Sequence, residues 1–117
     1  MTMENLKQQL LSDLSAVGVN TEESFELVLK DYSKSYYGRY YPDKKRVVVY
    51  VHEDRDLNKL FPYEQLFSTA LHESVHHIQW CDPNYKRAKG VMHNPQFYVI
   101  YNHLMRKHII YRQFNKR

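Results

Sequence analysis

The sequence predicts one α+β domain in which a short β-hairpin packs on a central helix, with further helices before and after it. Three observations carry that expectation. Apolar residues recur at helical spacing over 3–17 and over 62–80, a tyrosine- and valine-rich run over 36–52 breaks that spacing, and turn residues divide the run at Pro42 to Lys45. The 117 residues suit a single compact domain, 1–117, and leave no room for a second of ordinary size. Hydrophobic residues make up 43% and charged residues 26%, a balance that excludes a disordered chain.

Each element has its own signal. Over residues 3–17, Leu6, Leu10 and Leu14 form a stripe with Leu11 and Val17 beside it, and Gly18 is a natural stop. Thr21 can cap a second helix, with Glu22 and Glu23 in its first turn. That helix is expected to run to about Lys34 and to offer Phe25, Val28, Leu29 and Tyr32 to the core. Tyr36 to Tyr41 and Arg46 to His52 then read as two strands of a hairpin. Glu53 to Leu60 is polar and reads as a loop. Pro62 opens a helix over 62–80, Asp82-Pro83-Asn84 ends it, and a loop leads to about Asn94. Pro95 opens a last helix that runs to about Phe114.

The charge is unevenly spread. The net charge is +4, yet all thirteen Asp/Glu lie in residues 1–82 with nine Lys/Arg, while residues 83–117 hold eight Lys/Arg and no acid. Such a basic third either keeps a surface solvated or meets nucleic acid or an acidic partner. No apolar stretch approaches the roughly 20 residues that span a bilayer, so no membrane partner is expected. The first residues carry acids and no small-residue cleavage site, which argues against a secretory signal. A single cysteine, Cys81, points to a reducing compartment, the cytoplasm.

The central helix carries the chemistry. His72-Glu73-Ser74-Val75-His76 is the HExxH pattern. Four residues advance a helix by slightly more than one turn, so His72 and His76 point the same way and can ligate one Zn²⁺. Glu73 sits about 100° round the helix, close enough to take a proton from a water at the metal without being a ligand. With seven His and seven Glu in the chain, the pattern would arise by chance in roughly 2% of shuffled sequences. Its setting adds weight. Phe67, Leu71, Ser74, Val75 and Ile78 form the core side of the helix, and His72, His76, Ser68, Thr69 and Gln79 lie on the other.

Zinc needs a third protein ligand. No Asp or Glu follows Asp82, which closes the option of a carboxylate on a later helix. Asp82 itself would complete an HExxHxxGxxD-like arrangement, but Gln79 stands where the turn-permitting glycine would be. His93, seventeen residues beyond His76 and at the start of the last helix, is favoured over it. His103 and His108 read as surface or partly buried residues, and His77 as a packing or supporting group.

Residues 70–77 followed by His93-Asn94-Pro95-Gln96-Phe97 resemble the SprT-like zinc metallopeptidases and their WLM-type relatives, with Asn94-Pro95 where glycine is usual. The resemblance covers roughly residues 36–105 and includes the hairpin that precedes the active-site helix. It implies a small zincin-like domain that binds zinc through His72, His76 and His93, with Glu73 as catalytic acid and base. It also implies a metallopeptidase acting on a protein or peptide. Several members of the family act on proteins on DNA, but the single cysteine cannot build the C-terminal zinc ribbon that some carry. Zincins that cleave phage-repressor-like regulators are neighbours in substrate, whereas the further motif of peptide deformylases is missing. Tyr98, Tyr101 or another of the eleven tyrosines, His77 or Arg39 could supply a second oxyanion donor beside the metal. The competing expectation is a non-catalytic, zinc-stabilised module. It would bind nucleic acid or an acidic protein through Lys86, Arg87, Lys89, Arg106, Lys107, Arg112, Lys116 and Arg117. A retained Glu73 speaks against it, since a structural zinc has no need of a base.

Overall fold

A computed structural model of the chain describes residues 2–19, 25–82 and 93–114. It is an α+β domain of three helices and one three-stranded sheet. Helix α1 covers Met3–Ala16, strands β1, β2 and β3 cover Glu26–Lys30, Gly38–Tyr41 and Arg46–Tyr50, and helices α2 and α3 cover Tyr63–Cys81 and Pro95–Phe114.

Local chemistry accounts for the ends of α1. The Thr2 hydroxyl accepts from the Asn5 N–H at 3.0 Å, satisfying one orphan donor of the first turn. At the other end Gly18 takes φ +95°, so the Gly18 and Val19 N–H groups can turn back onto Ser15 and Leu14 carbonyls. Leu6, Leu10 and Leu14 are buried as their spacing requires. Asp13 is buried with them, and the Tyr63 hydroxyl donates to its carboxylate at 2.5 Å. Burial and this bond push the Tyr63 phenol well above its usual pKa.

The hairpin forms as expected. β2 pairs antiparallel with β3, Gly38 opposite Val49 and Tyr41 opposite Arg46. Pro42–Lys44 make one 3₁₀ turn between the strands, and Lys45 completes it in the left-handed region at φ 47°. The residues before the hairpin depart from expectation. Instead of a helix reaching Lys34, Glu26–Lys30 form β1, parallel to β3 with Leu27 opposite Val47 and Leu29 opposite Val49. Phe25 and Leu27 are buried and Leu29 is partly so, the period-2 pattern of a strand. Five apolar or aromatic positions in so short a span fit either period, and pairing with the buried valines of β3 decides between them. The Glu26–Arg46 ion pair at 2.6 Å closes the register at one end. The cap at Thr21, with Glu22 and Glu23, lies outside the described residues.

The sheet order is β1-β3-β2, so β3 is central and its Val47, Val48 and Val49 are fully buried. Val47 and Val49 join Leu10, Leu14, Leu27, Phe67, Leu71, Val75 and Phe97 in one core. Helix α2 packs on β2 and β3, on α1 and on α3. Between β3 and α2, Phe61 N–H donates to Val51 and His52 pairs with Leu60, which returns the 53–60 excursion to the sheet. Among the described residues no helix is long and apolar enough to cross a membrane.

Replacing Tyr63 by Phe should remove the donor that satisfies buried Asp13. Denaturant unfolding should then show a loss of about 1–3 kcal/mol, whereas Arg106→Ala on the exposed face of α3 should stay within about 0.5 kcal/mol.

Candidate metal centre

The periodicity of α2 puts His72 and His76 on one face, as the sequence requires. Asn94 caps α3, its side-chain oxygen accepting the Phe97 N–H at 2.9 Å, and His93 stands just before that cap. The antiparallel meeting of α2 and α3 then brings three imidazoles together. His93 Nε2 lies 3.0 Å from His72 Nε2 and 3.1 Å from His76 Nε2. This is the one group of three or more potential metal ligands among the described residues. The Asp82 alternative is not part of that group: it ends α2, with its backbone N–H on Gln79.

The donor set fits a metal ion. Three nitrogens held about 2.0–2.1 Å from one tetrahedral ion stand about 3.4 Å apart. Hydrogen bonding alone is a poorer account, because one imidazole nitrogen offers a single in-plane proton or lone pair and cannot satisfy two such neighbours. Phe97 is the floor of the site, its ring centroid 4.8, 4.7 and 5.0 Å from those of His72, His76 and His93. An apolar floor shields one side of the rings from solvent and disfavours their protonation. Burial accordingly holds the His72 pKa below its usual value, and His93 beside it adds to the effect.

Glu73 is well sheltered, its side chain 12% exposed with the nearer oxygen 3.9 Å from His72 Nε2. Burial pushes its carboxyl up to about 7. It lines a cleft of about 340 Å³ together with Ser35, Tyr36, Tyr37, Gly38, Ser68 and His72. Gly38 makes the close approach of β2 to α2 possible. A Cβ there would stand 2.5 Å from Thr69 Cγ2 and 2.8 Å from the Val48 carbonyl oxygen. The larger cavity, about 410 Å³ between α1, Phe61 and Arg112, contains none of these residues.

His77 is a buried packing group. Its Nδ1 meets the Tyr40 hydroxyl at 2.6 Å and its ring lies edge-on to Phe25. Burial lowers the His77 pKa and raises that of Tyr40 to about 12. Of the oxyanion-donor candidates named above, Tyr98 and Tyr101 stand beside the triad, with ring centroids 6.3 Å from His93 and 6.1 Å from His72. His77 is committed to Tyr40, and the Arg39 guanidinium lies over Tyr36 and Tyr41, on the strand face opposite Gly38 and Tyr40. His103 is exposed. His108 is fully buried, more so than expected, stacked on Phe67 with Nε2 3.1 Å from Glu64.

Two expectations need correction or narrowing. Thr69 and Gln79, placed by the helical wheel on the side away from the core, are buried, because β2 and α3 cover that side. Within the basic C-terminal third, Lys86, Arg87, Lys89, Lys116 and Arg117 lie outside the described residues. Arg112 lies over the Tyr63 ring and 3.6 Å from Glu64, and Arg106 and Lys107 are further exposed cations of α3. The wheel shows neither Gly38 nor Phe97 as a builder of the site, since their roles arise only once β2 and α3 meet α2. No family model matches the chain, and no curated protein or solved structure matches it.

Two outcomes follow from this geometry. Zn²⁺ at a hundred times its Kd should stabilise the fold by about 2.7 kcal/mol, read as a rise in Tm of roughly 10 °C that His93→Ala abolishes. Gly38→Ala should cost roughly 1–3 kcal/mol in denaturant unfolding, through overpacking against Thr69 and the β3 backbone.

Proposed function

We propose that this protein is a zinc metallopeptidase of the SprT-like or WLM type, with a zincin-like arrangement of sheet and active-site helix. The observation that carries the proposal is the convergence of His72, His76 and His93 beside a sheltered Glu73 at the end of a polar cleft. A zinc ion held by the three histidines would supply Lewis acidity, polarising a scissile carbonyl and lowering the pKa of water next to it.

The chain's own groups do the rest. Glu73 takes the proton of the attacking water and delivers it to the departing amine. Burial of the carboxyl makes Glu73 a stronger base than an exposed carboxylate. Burial next to His72 keeps that carboxylate close to where the water must stand. Strand β2 is at the edge of the sheet, and Ser35 to Gly38 lead from the cleft directly into it. An extended peptide segment can add to that edge by backbone hydrogen bonds, which makes a protein or peptide the substrate class. Tyr98 and Tyr101, whose rings stand beside the triad, are the proposed sources of a hydroxyl for a developing oxyanion. The single cysteine suits a reducing, cytoplasmic setting.

The test is Glu73→Gln. It should retain about one equivalent of zinc while cleavage of an unfolded protein substrate falls by about 10²–10⁴-fold. Wild-type cleavage by this variant would remove Glu73 from the mechanism, and a wild-type protein that takes up no zinc would end the proposal.

A further inference from the structure

His93 is the one ligand that no helix holds. It precedes the cap of α3, so its ring needs an anchor outside its own element. Asn94 supplies the backbone link, and α2 supplies the grip. The Gln79 side chain, 3% exposed, donates from Nε2 to Asn94 Oδ1 at 3.2 Å and to Gln96 Oε1 at 3.0 Å. Asn94 Oδ1 already accepts the Phe97 N–H at 2.9 Å, which fixes it as an acceptor and so fixes the polarity of the whole arrangement.

We infer that Gln79 is a positioning residue for the metal centre, clamping the start of α3 so that His93 Nε2 is held against the His72–His76 pair. The spacing is what makes the clamp effective. Gln79 lies three residues after His76 and seven after His72, on the same face of α2, so the rise of the helix sets the distance from clamp to ligands. The seam is closed again four residues before His72, where Ser68 Oγ and the Tyr101 hydroxyl meet at 2.8 Å. The histidines therefore sit between two polar locks. The lock at Gln79 is the one next to His93, and it works through Asn94 without touching the reacting atoms.

This inference rests on the reading that the three histidines bind zinc, and the experiment separates the two. Zn²⁺ affinity is measured by competition with a chromophoric chelator, well below the unfolding temperature of each metal-free variant, for wild type, His93→Ala, Gln79→Met and Gln79→Glu. Co²⁺ ligand-field spectra are recorded alongside. The Gln79→Met side chain nearly keeps the volume but has no amide, and Gln79→Glu keeps the shape but turns the donor into an acceptor facing two acceptors. Both should weaken Zn²⁺ binding by about 10–100-fold, and the Co²⁺ spectrum should shift toward that of His93→Ala. A purely structural Gln79 would lower the Tm of the metal-free protein and leave affinity and spectrum unchanged, which would overturn the inference. If one variant does not fold, the other decides. Zinc binding by His93→Ala as tight as wild type would instead sink the ligand assignment itself.

Discussion

The seam between α2 and α3 is the constraint on which the rest depends. Helix α2 is buried on two sides, and only one of them is apolar. Phe67, Ala70, Leu71 and Val75 belong to the common core, an ordinary apolar stripe. The other side carries Ser68, His72, His76 and Gln79, polar groups that cost free energy to cover unless each finds a partner. α3 answers in order with Tyr101, His93 and Asn94 with Gln96. The polar side of α2 therefore selects the angle and register at which α3 can dock, with Phe97 filling the space between them. A metal centre is the natural product of such a seam, because paired imidazoles one turn apart already share a direction.

The sheet contributes through backbone more than through side chains. β3 is a continuous buried valine run and needs neighbours on both edges, which β1 and β2 provide. β2 meets α2 along the face formed by Gly38 and Tyr40. At Gly38 the absence of a side chain brings the strand against Thr69 and Glu73, and at Tyr40 the hydroxyl finds His77. These two contacts set the depth of the cleft beside Glu73. They also explain why a histidine adjacent to the triad is not part of it: the next residue on a helix points about 100° away, here into the sheet.

Much of this was legible in the sequence, for reasons that differ by element. α1 and α2 have periodic stripes, Gly18, Pro62 and Pro95 punctuate the helices, and the hairpin has turn chemistry between two β-rich runs. His93 could be reached from spacing and elimination. β1 could not, because its apolar positions suit a helix and a strand equally. Only pairing with Val47 and Val49, twenty residues away, resolves the choice. Gln79 was read as a missing glycine on a polar face. Its burial depends on where α3 lies, which is a long-range fact that no local pattern carries. His108 was likewise invisible as a core residue, since its burial requires Phe67 to stack on it and Glu64 to bond it.

The same seam ties metal binding to stability. Two imidazole nitrogens, at 3.0 and 3.1 Å from His93 Nε2, cannot both be satisfied by the single proton or lone pair that His93 Nε2 offers. Protonating one ring would satisfy one neighbour at the expense of the other, in a place where burial already disfavours the charged form. A divalent cation resolves the conflict, since each ring then offers a lone pair and needs no proton. Free energy gained by binding such an ion would be gained by the contact between α2 and α3. In a domain this small, with a correspondingly modest core, that coupling makes a ligand to the fold of what would otherwise be only a ligand to the site.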